Sequence, residues 1–277
     1  MKRRKKWLRA LAYLTACALS VLFLMPFVWM LRSSLTELSQ IFETPPRWIP
    51  DPVRWENYTE ALTFVPFGRY FLNSTLIVVG CLSGILLTSS LAAFSFSRIR
   101  WPGRNIVFGI LLSSMMLPGA VTLIPTFIGW QSLGFYNTYA PLIVPSWFGG
   151  GAYNIFLLRQ FYMGIPRALD EAAFVDGAGY FRIYWNVVLP LSRSAMIVVG
   201  LFAFMFHWND FFGPLIYLKD EHLYTLALGL QQFQGSYMSE WGLLMAASTV
   251  VILPCVIVFL IGQKSFIQGI TLTGLKG

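Results

Sequence analysis

The groups that could do chemistry are few. The 277-residue chain holds two histidines, His207 and His222, without ligand spacing to one another, and three cysteines, Cys17, Cys81 and Cys255, too scattered for a metal site or a disulfide framework. No nucleophile stands in a pattern with a base, so a membrane enzyme finds no support. No Gly-Lys dipeptide occurs, and with it goes the GxxxxGK[ST] loop that would cradle nucleotide phosphates. What remains is charge in unusual places. Residues 171–190 read EAAFVDGAGYFRIYWNVVLP, half polar with three charges, among segments apolar enough for lipid. Three roles fit such a stretch: a water-filled site, a catalytic loop, or a docking surface for another protein. A second charge, Asp210 of His207-Trp208-Asn209-Asp210, falls inside an apolar run.

The elements that must position these groups follow from composition. With 56% hydrophobic, 17% aromatic and only 12% charged residues, the chain is too apolar for a soluble domain of its size. A bilayer core roughly 30 Å thick needs about 20 mostly apolar residues per helical crossing. Six stretches qualify, at about 8–31, 73–96, 106–128, 138–158, 194–217 and 242–262, giving an all-α membrane protein with a basic N-terminus (1–7), a loop at 160–193 and a tail at 263–277. Several spans contain Pro or Gly, among them Pro26, Pro118, Pro125, Gly149-Gly150-Gly151, Pro214 and Pro254, so kinked helices packed in a bundle are expected. The three cysteines fall within these spans, where small apolar packing suits them.

Orientation comes from the basic residues. Of the 20 Lys and Arg, fifteen fall before or at the start of the first span, in the 2–3 and 4–5 loops, or after the sixth, and five on the other side. Positive loops stay in the cytoplasm, so both termini and the 160–193 loop are expected there. That also explains the net charge of +8 without nucleic acid, for which a solvated basic stripe with interleaved aromatics is missing. The basic N-terminus and its apolar run resemble a secretory signal, but the run continues to about Met30 with no small-residue cleavage site after it. Leu14-Thr15-Ala16-Cys17 resembles a lipoprotein box, yet cleavage there would discard the topology-setting charges. The N-terminal segment reads as a retained span.

Within the loop, Pro166 suits a first helical position and starts a helix with Leu169, Ala172 and Ala173 on its apolar face and Asp170, Glu171 and Asp176 on others. Arg167 can reach Asp170 or Glu171 at helical spacing, worth a few tenths of a kcal/mol. Gly177 and Gly179 end it. A second short helix, about 180–188, places Phe181, Tyr184, Trp185 and Val188 on one side before Pro190 breaks it. The pair is too short and too polar to span.

Glu171-Ala172-Ala173, three residues, Gly177, nine residues, then Val187-Val188-Leu189-Pro190 resembles the EAA loop of ABC importer permeases, with Val187 for the usual Ile as its single departure. The chain is also similar, segment by segment, to MalG-like carbohydrate permeases: PFVWML (26–31), NSTLIVV (73–79), TLIPTF (122–127), FLLRQF (156–161), WNDFFGPLIYL (208–218), LMAAS (244–248) and GITLTGLKG (269–277) occur in the family's order. The resemblance implies the type I ABC importer permease fold, a second similar permease subunit, two cytoplasmic ATPase subunits that carry ATP and Mg, and an extracellular or periplasmic sugar-binding protein. It implies no cofactor in this chain. Glu171, Ala172, Ala173, Asp176, Gly177, Ala178, Leu189 and Pro190 then form the coupling element in a groove of the ATPase, and the tail, with Thr271, Thr273, Gly274 and Lys276, reaches into the ATPase dimer. A frayed terminus is the other reading of that tail. The cargo implied is a sugar or oligosaccharide, with a polyol or glycerol phosphate as the alternative.

Counted from about residue 194, Asp210 lies roughly 24 Å up its span, where a charge is costly unless it faces water or the bundle interior. Two readings stand: Trp208, Asn209 and Asp210 line the solute path, with Asn154 beside the triple glycine, or Asp210 clamps a neighbouring helix. Trp29, Trp48 and Trp55 suit interfacial anchors in contact with membrane lipid. The outer segment 32–71, with its prolines and the helical-looking ENYTEAL, is either a lid or part of the surface met by the binding protein. An ion-coupled secondary transporter would want several intramembrane carboxylates, and only Asp210 is well placed.

Overall fold

The computed structural model describes residues 2–235 and 240–274, with side chains described for 6–235 and 240–265. Its regular structure is helical. The first helices are α1 (Lys2–Ser34), α2 (Leu38–Ile41), α3 (Glu56–Phe64), α4 (Phe67–Arg98) and α5 (Arg104–Ser114). There follow α6 (Gly119–Ser132), α7 (Ala140–Ile143), α8 (Ala152–Gly164), α9 (Ala168–Val175) and α10 (Tyr180–Ile183). The chain closes with α11 (Leu189–Leu191), α12 (Arg193–Trp208), α13 (Phe212–Tyr217), α14 (Leu226–Gly229) and α15 (Trp241–Gly274).

Among the described residues three helical stretches are long and apolar enough to cross a membrane, Lys6–Ser34, Phe67–Arg98 and Trp241–Ser265, matching the first, second and sixth expected spans. The third is bent. α5 and α6 meet at 96° because Pro118 has no N–H to continue the helix and sits extended at φ −61°, ψ 134°. The fifth is divided, since α12 stops at Trp208 and α13 begins afresh at Phe212, while the stretch Tyr180–Leu191 meets α12 at 77°. Taking each bent pair as one crossing gives five. The expected fourth span, 138–158, is not a continuous helix: it is α7, a 3-10 turn at Val144–Trp147, and α8, parted at Gly149, Gly150 and Gly151 with φ of 92°, 64° and 89°. Three successive residues in that region cannot continue a right-handed helix.

The described chain separates into two compact units, residues up to 67 with those of 229–253, and 68–228 with those from 254 onward. In the first, the end of α1 is closed by Asn57 of α3, 4% exposed, whose Nδ2 donates to the carbonyls of Ser34 (3.0 Å) and Thr36 (3.2 Å). The Ser34 carbonyl is one a helix end leaves unpaired, and that of Thr36 belongs to the turn just after it. ENYTEAL is thus helical as expected, and its helix is packed. Arg32 is buried, with Nε donating to the Arg47 carbonyl at 2.8 Å and its guanidinium over the Trp29 ring. Trp48 meets Trp29 edge-on and Trp55 is exposed. Cys17 departs from expectation: α1 shows its side chains outward from Lys6 to Val28, so this cysteine is exposed, whereas Cys81 and Cys255 are buried.

The second unit holds the larger core. Ile77, Cys81, Ile85, Ala93 and Phe94 of α4 pack with Leu158 and Tyr162 of α8, Ile183, Tyr184 and Val188, and Ala195, Val199 and Ala203 of α12. The alanines let helix backbones approach, which drives packing where lipid removes the usual hydrophobic advantage.

Candidate functional site

The segment 166–191 folds as two short helices set on this core. Pro166 opens the first turn, and α9 ends in a Schellman closure: Ala178 N–H donates to the Ala173 carbonyl (2.9 Å) and Gly177 N–H to that of Phe174 (3.0 Å), with Gly177 at φ 77°. The motif glycine is there because that position requires a left-handed backbone. Ala178 is buried beneath the turn. Glu171, Ala172, Phe174, Val175 and Asp176 are exposed, Val175 at 89%, so the outer face of α9 is apolar, with the small Ala172 among larger side chains, and edged with two carboxylates.

The inner face is not the expected one. Leu169 and Ala172 point outward, and Asp170 is buried, 9% exposed, in the stripe with Ala173. The reason lies 72 residues away at the end of α4. Arg98 Nη1 donates to Asp170 Oδ2 at 2.9 Å, and its Nη2 donates to the carbonyls of Tyr162 (2.7 Å) and Ile165 (2.9 Å). One guanidinium therefore closes the C-terminal end of α8, whose last carbonyls lack partners within the helix, and meets an acid in the first turn of α9. The local Arg167 pairing gives way to this buried one. Neither Arg98 nor the inward turn of Asp170 is evident from the sequence; the available signal was an arginine closing an apolar span just before a basic loop.

The second helix differs in two ways. Pro190 does not break it but sits inside α11, and the chain opens into a π-helical turn over Tyr184–Val188 just before. The wider turn makes room for the ring, which would press on the carbonyl four residues back. The break comes at Ser192 instead. The expected aromatic side is also split: Tyr184 and Val188 are buried, while Phe181 and Trp185 are exposed and stacked at 6.4 Å. Tyr184 Oη and Ser90 Oγ share a buried hydrogen bond of 2.7 Å, tying this helix to α4. Nearby Tyr162 is buried deeply enough to push its phenol well above the ordinary tyrosine range, so it stays neutral.

The intramembrane candidates do not come together. Asn154 lies at a cavity of about 500 Å³ with Ser146, Tyr153, Phe202, Phe206 and His207, and its Nδ2 donates to the Gly150 carbonyl at 2.7 Å. Trp208 is 3% exposed, stacked on Phe204 and edge-on to Phe71. Asn209 donates to the Met205 carbonyl (2.7 Å) and lies 3.8 Å from Cys255 Sγ. Asp210 Oδ1 accepts the Gly213 N–H at 3.0 Å, closing the start of α13. His207, which spacing and hydropathy did not place at the path, is the residue of this group that joins Asn154. In the tail, Thr271, Thr273 and Gly274 lie on the backbone of α15, but their side chains and all of Lys276 are outside the described residues.

Long apolar helices and bent spans, together with a braced polar hook that none of them absorbs, define a multi-pass membrane component. Residues 84–272 match the family described as binding-protein-dependent transport system inner membrane component, and the chain belongs to it. It is similar to a probable ABC transporter permease protein of Bacillus subtilis, YurM, at 32% identity over 98% of this chain and 88% of that one. A diacetylchitobiose uptake system permease protein, NgcG, of Streptomyces coelicolor is 32% identical over 88% of this chain and 82% of its own length. An sn-glycerol-3-phosphate transport system permease protein, UgpE, of Yersinia pestis is 31% identical over 90% and 91%. The fold matches a chain in the crystal structure of a bacterial ABC transporter involved in the import of the acidic polysaccharide alginate, with a TM-score of 0.82 over 95% of this chain and 97% of that one, at 21% identity. The chain is thus an inner-membrane permease component of a binding-protein-dependent ABC importer, a family that works with an ATPase and a substrate-binding protein.

Proposed function

We propose that this chain carries a sugar or oligosaccharide inward, driven by ATP that partner subunits hydrolyse, and that the stroke enters through α9. The observation that carries this reading is the two-sidedness of α9: an exposed face of Glu171, Ala172, Phe174, Val175 and Asp176, and an inner face fixed by the buried Arg98–Asp170 pair. Ala172 lets a partner backbone come close, Phe174 and Val175 offer apolar contact, and the carboxylates supply charge for register. The hook and both termini face the cytoplasm in this reading, in keeping with the basic loops. The broken stretch 138–158 is the remaining crossing of a six-span bundle, its non-helical backbone tolerated because the middle glycine, Gly150, lies buried against α4 rather than lipid.

Two ATPase subunits, holding ATP and Mg, close on nucleotide and push α9 in this chain and the matching helix of a second permease subunit. Rigid-body rocking then turns the inward-facing cavity toward a loaded binding protein. Chemistry of phosphate transfer stays on the partner. The cavity beside Gly150 supports a sugar in preference to glycerol phosphate, since Ser146, Tyr153, Asn154 and His207 offer hydrogen bonds, Phe202 and Phe206 offer rings for apolar sugar faces, and no Lys or Arg lines it. Glu171→Ala tests the coupling role in the complete transporter. Uptake collapses while solute binding to the separate binding protein is unchanged; normal uptake would refute the assignment.

A further inference from the structure

The hook is attached to one helix at two points. Arg98 and Ser90 lie eight residues apart on α4, about 12 Å along its axis. Arg98 holds α9 through Asp170, and Ser90 holds the following helix through Tyr184. The other inward contacts of α9 are apolar, through Ala173 and the following Ala178; the helix has eight residues, enters through the short link after Ile165 and leaves through the Gly177 turn. A push on its exposed face would be taken up by rotation unless something behind it resists.

We propose that Arg98 is the positioning residue that makes α9 move as one body with the ends of α4 and α8, so that α4 receives the stroke. This rests on the coupling reading above. Arginine suits this role because its planar fork, with several fixed donors, can hold two carbonyls of α8 and a carboxylate of α9 together, which a single ammonium cannot do as rigidly. Stability alone gives a weak reason for the arrangement, because a buried ion pair gains little over apolar side chains of similar volume. The pair is also incompletely served, with Asp170 Oδ1 and Arg98 Nε both buried and without hydrogen bonds. Its distinctive property is directional. It fixes where α9 sits relative to two other helix ends, which apolar contacts would leave free to slide. Tyr184 and Ser90 supply the second fixed point, which blocks rotation about the first.

The test measures rigidity in the assembled transporter and needs no transported solute. Spin labels are placed at Ala168→Cys on α9 and Leu91→Cys on α4, both exposed, after the three native cysteines are replaced. Pulsed electron paramagnetic resonance then gives the distance between them without nucleotide and after ATP hydrolysis with the ADP trapped by vanadate. With Arg98 present the distance is the same in both states. In Arg98→Gln it broadens and shifts by several ångström in the vanadate-trapped state, with Arg98→Lys, the milder variant, between the two. Tyr184→Phe broadens it further in the Arg98→Gln background. An Arg98→Gln or Arg98→Lys transporter whose distances match the parent in both states overturns the proposal, as does a parent whose own distance changes with ATP. A parent chain that assembles with no ATPase overturns the coupling reading itself and this proposal with it.

Discussion

Replacing Gly150 with alanine probes how the broken stretch is seated against α4. Two penalties add. At φ 64° an L side chain crowds its own carbonyl, at about 1–2 kcal/mol. The new Cβ would also stand 2.7 Å from the Ile85 carbonyl oxygen, 2.9 Å from Ser89 Cβ and 3.0 Å from Ile85 Cα. These are mostly backbone atoms of a long helix and cannot swing aside, so overpacking adds about 1–3 kcal/mol. Gly149→Ala is the control: at φ 92° it bears the first penalty, but its Cβ meets only Ile155 Cδ1 at 3.8 Å. The expected losses are about 2–5 kcal/mol for Gly150→Ala and about 1–2 kcal/mol for Gly149→Ala. Reversible unfolding of both purified variants, by SDS titration in mixed micelles, reads the gap, which at about 1.4 kcal/mol per decade is roughly a five- to hundredfold difference in the folding equilibrium. Equal losses in the two variants would show that α4 does not lie against Gly150, and the account of the broken stretch would fail.

Three further outcomes follow from named contacts. Asp210→Asn keeps an acceptor for the Gly213 N–H and leaves uptake near normal, whereas Asp210→Ala lowers unfolding stability by about 1 kcal/mol; abolished uptake in Asp210→Asn would show that the charge itself serves the path. Tyr184→Phe leaves Ser90 Oγ without its 2.7 Å partner and costs about 0.5–1.5 kcal/mol by the same titration, and no loss would mean the bond is idle. Asn57→Ala strands the Ser34 and Thr36 carbonyls at the end of α1 and costs about 1–3 kcal/mol, which protease protection of that end would register as faster cleavage.

Hydropathy located α1, α4 and α15 because a continuous apolar run of sufficient length leaves few alternatives to a crossing. It read the third, fourth and fifth stretches less well. A proline such as Pro118 can kink a helix or end it, and the outcome depends on neighbours that a local window does not contain. The end of α9 was legible, since Gly177 follows the helix at the position where a left-handed residue is needed. Its orientation was not, because Asp170 turns inward only on account of Arg98, far away in sequence. Trp208 reads as a path residue from its polar neighbours, yet Phe204 and Phe71 enclose it. His207 gives no such signal because its partner at the cavity, Asn154, lies on another helix.

In the proposed coupling, a partner ATPase grips the exposed face of α9 from the cytoplasm. A single cysteine at the exposed position Asp176, in a chain otherwise without cysteine, is offered a membrane-impermeant maleimide in inverted vesicles. Rapid labelling is expected when the ATPase subunits have been stripped away, and protection when they are added back. Labelling that is indifferent to the ATPase, or that occurs only from the opposite face of the membrane, would contradict it.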